Sequence, residues 1–101
     1  MLTFNLKKEW FEKIKSGEKT HEYRETTEYW IKRLTRYYHA HFHILCPEKR
    51  LICFACGYPN KDDKDKRIYA KIKNIEVVWG ADTDLKIQKK VFDIEFELIK
   101  E

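Results

Sequence analysis

The spacing of apolar residues changes its period once along this chain, and that change limits the possible folds. Leu2, Phe4 and Leu6 alternate with polar residues, which predicts a first strand. Two segments with a helical apolar stripe follow, separated by a short charged segment, and they end near residue 38. Beyond that point the period is two. The resulting order is strand, helix, strand, helix and then a run of strands, which indicates an α+β domain.

Each predicted helix combines one apolar face with residues suited to its ends. The first helix covers 7–16 and the second covers 28–38. Their apolar stripes consist of Trp10, Phe11 and Ile14 in the first and of Tyr29, Trp30 and Leu34 in the second. Gly17 is placed to cap the C-terminus of the first helix, because glycine readily adopts a positive φ. Thr26 or Thr27 can cap the N-terminus of the second helix.

The remaining alternating segments are predicted as strands, and the sequence between them as turns and loops. The strands cover 18–25, 41–46, 51–56, 68–78 and 91–99. The connections are a PEKR hairpin turn over 47–50, a polar segment over 59–67 and a loop over 79–84. Because the strands are short and no strand–helix unit repeats, we expect a strongly bent mixed sheet, or small β-barrel, flanked by two helices. The length suits one domain, 1–101.

Composition excludes some classes of protein and favours a charged partner. Charged residues make up 38% of the chain, and the net charge of +4 suits a polyanion such as RNA or a phosphorylated nucleotide. No apolar run approaches the roughly 18 residues of a membrane helix, and the first residues lack the apolar stretch of a signal peptide. Three cysteines, an odd number, argue against a secreted disulfide framework. We expect a cytoplasmic protein with no membrane partner and no cofactor.

The charged segment SGEKTHEYRE, over 16–25, has no convincingly apolar face. Strand alternation predicts one face with Thr20, Glu22 and Arg24 and the other with Lys19, His21 and Tyr23. In one interpretation it is an edge strand with solvated charges, and Glu22 and Arg24 form a surface pair worth under about 1 kcal/mol. In the other it is a polar site. Lys19 and Arg24 would then bind an anion or a nucleotide edge, while Glu22 holds the cations and accepts hydrogen bonds from a base.

The octet GEKTHEYR, over 17–24, resembles the G-x-K-T-x-E-x-R signature of the ASCH domain family in the PUA-like superfamily. The upstream KEWFEKIKSGEK and the downstream EYWIKRL, FACGY and VVWGAD resemble small bacterial and phage-type members in the same order. The resemblance implies a PUA-like β-barrel with a cleft beside the first helix that binds RNA or modified nucleosides. By position it implies Lys19, Thr20, Glu22 and Arg24 as the ligand-binding residues.

Aromatic and basic residues near these motifs are further candidates for ligand contact. Tyr23, Trp30 and Tyr58 stand beside polar motif residues and could stack on a base, a contact worth around 1–3 kcal/mol, or they could belong to the core. Lys32, Arg33 and Arg36 share the second helix and form the best electrostatic footprint for a phosphate backbone. We expect the cleft that the resemblance implies to be built by the charged strand, the first helix and the segment 57–58.

Two other functions stay open. One branch of the family hydrolyses N4-acetylcytidine with a motif that resembles G-x-K-T-x-T, in which the lysine is the base, the second threonine the nucleophile and a distant glutamate the proton donor. Here Lys19 and Glu22 would be the catalytic residues, with Glu76 as the nearest distant acid, although Glu22 stands where that threonine would be. RNA cleavage with His21 as acid or base is a related activity. The third possibility is a phage-type accessory protein that sequesters a host nucleotide or protein.

Cysteine and histidine residues also cluster in the middle of the chain. The cluster consists of His39, His41 and His43 followed by Cys46, Cys53 and Cys56. We predict no metal site, because in a regular strand Cys53 and Cys56 point to opposite faces, and buried cysteines pack as small hydrophobes. The three histidines would share one face of the strand that begins at 41, either at the surface or along the cleft. His41 and His43 are the better candidates for ligand contact.

Overall fold

A computed structural model describes residues 2–41, 51–60 and 62–99 of the chain. The elements are β1 (Leu2–Leu6), α1 (Lys8–Lys15), β2 (His21–Glu25), α2 (Glu28–His41), β3 (Leu51–Cys56), β4 (Arg67–Trp79) and β5 (Lys90–Leu98). Short 3-10 helices lie at Lys64–Lys66, before β4, and at Gly80–Asp82, between β4 and β5. Within this part of the chain no helix is long and apolar enough to cross a membrane.

The strands form one five-stranded sheet in the order β1-β3-β4-β5-β2. β1 runs parallel to β3, and all other neighbours are antiparallel. The sheet curls through 238° into a half-barrel, which confirms the predicted α+β fold with a strongly bent mixed sheet and two helices. The curling brings the two edge strands, β1 and β2, towards each other. We call the gap between these edges the seam.

Aromatic and aliphatic side chains fill the concave face of the sheet. Phe54 lies at the centre, with its ring centroid 4.6 Å from that of Phe96 and 5.5 Å from that of Phe4. α1 buries Phe11 and Ile14 against this core, as its apolar stripe predicts. α2 contributes the fully buried Leu34 and the partly buried Trp30. The two helices thus cover the inside of the half-barrel and flank the seam.

The predicted caps are confirmed at both helices. Gly17 has φ +85° and follows the last turn of α1, where a residue with a Cβ would be strained. The Thr27 hydroxyl accepts a hydrogen bond from the main-chain N–H of Trp30 at 3.4 Å, so Thr27 rather than Thr26 is the N-cap of α2. The charged strand begins at His21, three residues later than predicted, since Gly17 first reverses the chain.

α2 continues to His41, so the prediction of a strand beginning at that residue is wrong. The strand face on which the three histidines were predicted is therefore not formed over 39–41. The rest of that predicted strand, 42–46 with His43 and Cys46, and the predicted turn over 47–50 lie outside the described residues. The strands predicted over 51–56, 68–78 and 91–99 are confirmed to within one residue at each end.

Candidate functional site

Three charged side chains meet in a cleft at the seam, next to α1. Glu22 Oε1 lies 3.8 Å from Lys19 Nζ, and Glu22 Oε2 lies 3.4 Å from Arg24 Nη2. The cleft has a volume of about 320 Å³. Its lining also includes Trp10, Tyr23, the loop residues Asp84 and Leu85, and Asn5, Leu6 and Lys7 at the end of β1. We call it the seam cleft. Its position between two strand edges explains why polar groups are concentrated there, since unpaired edges leave main-chain groups to be satisfied by side chains.

Glu22 is a buried carboxylate, only 7% exposed. Its position in β2 is level with Ile94 and Ile75 on the neighbouring strands, a row that faces the core. An isolated buried charge would be costly, so it needs hydrogen-bond partners and counter-charges. The Tyr23 main-chain N–H donates to Glu22 Oε1 at 2.9 Å, and the two cations supply the rest. The hydrogen bond from the main chain of β2 and the two ion pairs therefore fix the position of the Glu22 carboxylate.

Lys19 is held between two aromatic rings and two carboxylates. Its Nζ lies 5.0 Å from the centroid of the Trp10 ring and 5.1 Å from that of Tyr23, a cation–π arrangement. It also forms an ion pair with Asp84, in addition to Glu22. Asp84 belongs to the loop that precedes β5, 65 residues further along the chain. The Lys19 side chain is only 8% exposed, so these partners fix its position.

Arg24 connects β2 to β1 and α2. Its Nη2 donates to the Asn5 main-chain carbonyl at 3.3 Å and faces Glu22 as well. Its Cζ lies 5.0 Å from the ring centroid of Trp30 and 5.2 Å from that of Phe4. Those two rings are parallel, with centroids 5.1 Å apart. The guanidinium is thus both a wall of the seam cleft and a link between three elements, and its buried Nε has no hydrogen-bond partner among the described residues.

A second cleft of about 280 Å³ adjoins the first and shares Trp10, Lys19, Tyr23 and Asp84 with it. We call it the outer cleft. Lys13, Glu18, Thr20 and His21 complete its lining. His21 Nδ1 lies 2.7 Å from Asp93 Oδ1, and its Nε2 lies 3.8 Å from Glu95 Oε2. The outer cleft therefore contains an imidazole oriented by a carboxylate, next to two lysines.

Tyr23 lines both clefts, and its surroundings shift the pKa of its phenol. Burial raises the pKa of the Tyr23 hydroxyl above its ordinary value, and the carboxylates of Asp93, Asp84 and Glu22 raise it further. Each of these effects disfavours the negatively charged phenolate. Near neutral pH the hydroxyl is therefore protonated and can donate a hydrogen bond.

The structure brings together four of the predicted ligand-binding residues, Lys19, Glu22, Tyr23 and Arg24. The predicted separation of Lys19 from Glu22 onto opposite faces is wrong. Lys19 precedes the first residue of β2, so strand alternation does not apply to it and its side chain reaches the carboxylate. Thr20 is exposed and lines the outer cleft, while Trp30 packs against Arg24 in a small adjoining hollow of about 180 Å³.

Other predicted residues lie away from these clefts. Tyr58 is 90% exposed and lines none of the three, so the segment 57–58 is replaced as a wall by Asp84 and Leu85. Arg33 Cζ lies 3.4 Å from the centroid of the Tyr29 ring, and Arg33 Nη1 donates a hydrogen bond to the Tyr29 main-chain carbonyl within α2. On the same helix Lys32 Nζ lies 3.3 Å from Glu28 Oε1. A carboxylate therefore pairs with one of the basic residues that were predicted to bind a phosphate backbone.

Glu76, the distant acid of the hydrolase interpretation, lies on β4 and accepts a hydrogen bond from Asn74 at 3.0 Å. It lines neither cleft that contains Lys19. The carboxylate that does reach Lys19 is Asp84, which sequence reasoning missed because no period or motif connects a loop residue to a strand so far away.

The cysteine and histidine cluster gives no metal site in the part of the chain that the structure describes, where no group of three His, Cys, Asp or Glu side chains is suitably placed. Cys53 is buried and Cys56 half-buried, both as free thiols.

Comparison of the chain with protein-family models, with curated proteins and with solved structures found no match. The features of the chain that bear on its function are therefore the geometry of the two clefts and the sequence of residues 17–24.

Proposed function

We propose that this chain is a binding module for RNA or a nucleotide-like ligand, which enters the seam cleft. One observation supports this above all others: a buried carboxylate and two cations, Glu22, Lys19 and Arg24, converge on one concave space. Its volume lies at the lower end of the range of about 300–1,000 Å³ found for ligand clefts. The order of these residues along the chain also matches the ASCH-type signature. The odd number of cysteines favours a cytoplasmic setting for the proposed module.

The side chains of the cleft have complementary roles in this proposal. Glu22 accepts hydrogen bonds from the ligand, while Lys19 and Arg24 donate them. Trp10 and Tyr23 line the cleft and hold the Lys19 ammonium group between their rings, which fixes the position of this donor. Lys7 lies at the exposed rim, where a phosphate group would be met by a solvated cation.

A thermal-shift screen of nucleosides, nucleotides and short RNAs tests the proposal, with Glu22→Gln as the variant. A ligand that binds only the folded state raises Tm, so we expect at least one compound to stabilise the wild type and to stabilise Glu22→Gln much less. Glu97→Gln is the matched control, since Glu97 is exposed on β5. The proposal is wrong if no compound raises the Tm of the wild type, or if both variants respond as the wild type does.

A second candidate function is RNA cleavage in the outer cleft, favoured by the 2.7 Å contact between His21 and Asp93. A carboxylate that orients an imidazole is a common arrangement for proton transfer. The ribose 2′-hydroxyl would attack the adjacent phosphorus, its proton would pass to His21 Nε2, and the 5′-oxygen would leave with a proton from water. Incubation with end-labelled RNA tests this: a 2′,3′-cyclic phosphate product that His21→Asn abolishes supports it, and intact RNA contradicts it.

A further inference from the structure

We propose that the seam cleft binds a guanine base through its Watson–Crick edge and leaves any attached phosphate in solvent. This inference rests on the proposed function and makes it specific. It follows from three properties of the cleft: its balance of charge, its pattern of hydrogen-bond donors and acceptors, and its apolar lining.

The charges in the interior of the cleft, inside the rim formed by Lys7, cancel. Lys19 and Arg24 carry positive charge, and each pairs with a carboxylate, Lys19 with both Asp84 and Glu22 and Arg24 with Glu22. Apart from the exposed Lys7 at the rim, two cations and two anions face the cleft, so its interior has no net charge for a phosphate to neutralise. A phosphate group in the cleft would also lie against the buried Glu22 carboxylate, where repulsion between like charges is strong because little water screens it. An uncharged ring meets neither obstacle.

The donors and acceptors of the cleft define the edge of that ring. A carboxylate only accepts hydrogen bonds and offers about four lone-pair positions. The structure fills one on Glu22 Oε1, from the Tyr23 main-chain N–H, and one on Oε2, from Arg24. Acceptor capacity therefore remains on Glu22, and the ligand atom that faces it must be an N–H or O–H donor. Lys19 and Arg24 are donors only, so a ligand atom beside them must be an acceptor.

Guanine combines these groups on one edge. Its imino N1–H and its amino group are donors for a carboxylate, and the neighbouring O6 is a carbonyl acceptor that lysine and arginine bind readily. Adenine has no carbonyl oxygen, cytosine has no imino N–H, and uracil has no amino group. The larger purine ring also covers more of the apolar lining of the cleft, which includes Leu6 and Leu85, than a pyrimidine does. Among the common bases, guanine therefore satisfies Glu22 and the two cations most completely.

Isothermal titration of the full chain with guanosine, GMP, adenosine and 1-methylguanosine at two salt concentrations tests this inference. We expect guanosine and GMP to bind with similar Kd, and with little dependence on salt, because the phosphate lies outside. Adenosine and 1-methylguanosine, which cannot present the N1–H donor, should bind at least about tenfold more weakly, as expected for loss of a hydrogen bond to a charged group. Glu22→Gln should weaken guanosine binding by a similar factor, and Glu97→Gln should not.

The possible failures are distinguishable. GMP binding far more tightly than guanosine, with a steep salt dependence, would overturn the inference but leave a nucleotide-binding module. Equal affinities for guanosine, adenosine and 1-methylguanosine would also overturn it, because the protein would then make no specific contact with the Watson–Crick edge of the base. Absence of binding by every nucleoside, nucleotide and short RNA would overturn the proposed function itself. Because 1-methylguanosine changes the ligand and not the protein, the test holds even if Glu22→Gln does not fold.

Discussion

The Arg24 guanidinium donates a hydrogen bond to the main-chain carbonyl of Asn5, 3.3 Å away, and so joins the two edge strands of the half-barrel. β1 and β2 are not paired as neighbouring strands, so a side chain makes this connection. The same guanidinium faces Glu22. The residue that closes the seam is therefore also a wall of the cleft, and a change at this position affects stability and binding together.

Arg24→Ala should lower the free energy of unfolding by about 2–3 kcal/mol. The substitution removes the hydrogen bond to Asn5 and leaves the buried Glu22 with fewer counter-charges, and an unpaired buried charge is costly. Urea denaturation measures the loss. Arg33→Ala is the matched control, because that guanidinium lies over a ring of its own helix and should cost much less. Equal losses for the two variants would show that Arg24 does not hold the seam.

Lys19→Met should destabilise the fold, whereas Lys13→Met should change it little. Both ammonium groups lie 5.0 Å from the centroid of the Trp10 ring, so the cation–π contact is common to them. Only Lys19 also pairs with Asp84 and Glu22. Its loss leaves the buried Glu22 carboxylate with one counter-charge fewer, at a cost of about 1–3 kcal/mol in unfolding free energy. Urea denaturation of the two variants isolates this contribution. A cost for Lys13→Met as large as that for Lys19→Met would contradict it.

The raised pKa of Tyr23 predicts a loss of stability in alkali. The folded state binds the phenolic proton of Tyr23 more tightly than the unfolded chain does, in which the pKa of tyrosine is about 10. Stability is therefore unaffected below that pH and falls as pH rises from the unfolded pKa through the higher folded one. Tyr23→Phe removes this contribution, so the variant should gain relative to wild type between about pH 8 and 10.5.

Urea unfolding at those two pH values, with Tyr58→Phe as a matched control on a 90% exposed side chain, measures the difference. If the gap between wild type and Tyr23→Phe is the same at both pH values, the environment of the phenol is not as described.

Gly80→Ala should disturb the loop that carries Asp84. A Cβ at this position would lie 2.7 Å from the main-chain oxygens of both Ile87 and Lys89, so the backbone must shift. We expect a loss of about 2–3 kcal/mol in unfolding free energy, and weaker ligand binding where any is measured. Gly17→Ala, with open space but φ +85°, should cost only about 1 kcal/mol. A Gly80→Ala variant no less stable than Gly17→Ala would contradict the close approach.

Local sequence information predicted the local elements of this fold. The alternation of Leu2, Phe4 and Leu6, and the glycine after the first helical stripe, each depend on neighbours within one or two turns of chain. The end of α2 was missed for a related reason. The stretch over 39–41 is too short to show a period, so the sequence did not distinguish a new strand from a helix that continues.

The candidate site was predictable only in part. The motif over 17–24 contains Lys19, Glu22 and Arg24, but their convergence depends on where β2 begins and on the burial of Glu22, which follow from the whole sheet. Asp84 could not be predicted, because its pairing with Lys19 depends on a loop whose position is set by the packing of β4 and β5.

The parallel pairing of β1 with β3 has a consequence for how the protein is made. Leu2 is level with Ile52, so β1 can pair with β3 only after residues 51–56 have been translated. The separation along the chain is larger for β2, because His21 pairs with Glu95 on β5. Such non-local pairings form slowly, whereas β3, β4 and β5 follow one another as antiparallel neighbours. β1 and β2 thus both precede their partners in translation, and a chain truncated before β5 lacks the strand with which β2 pairs.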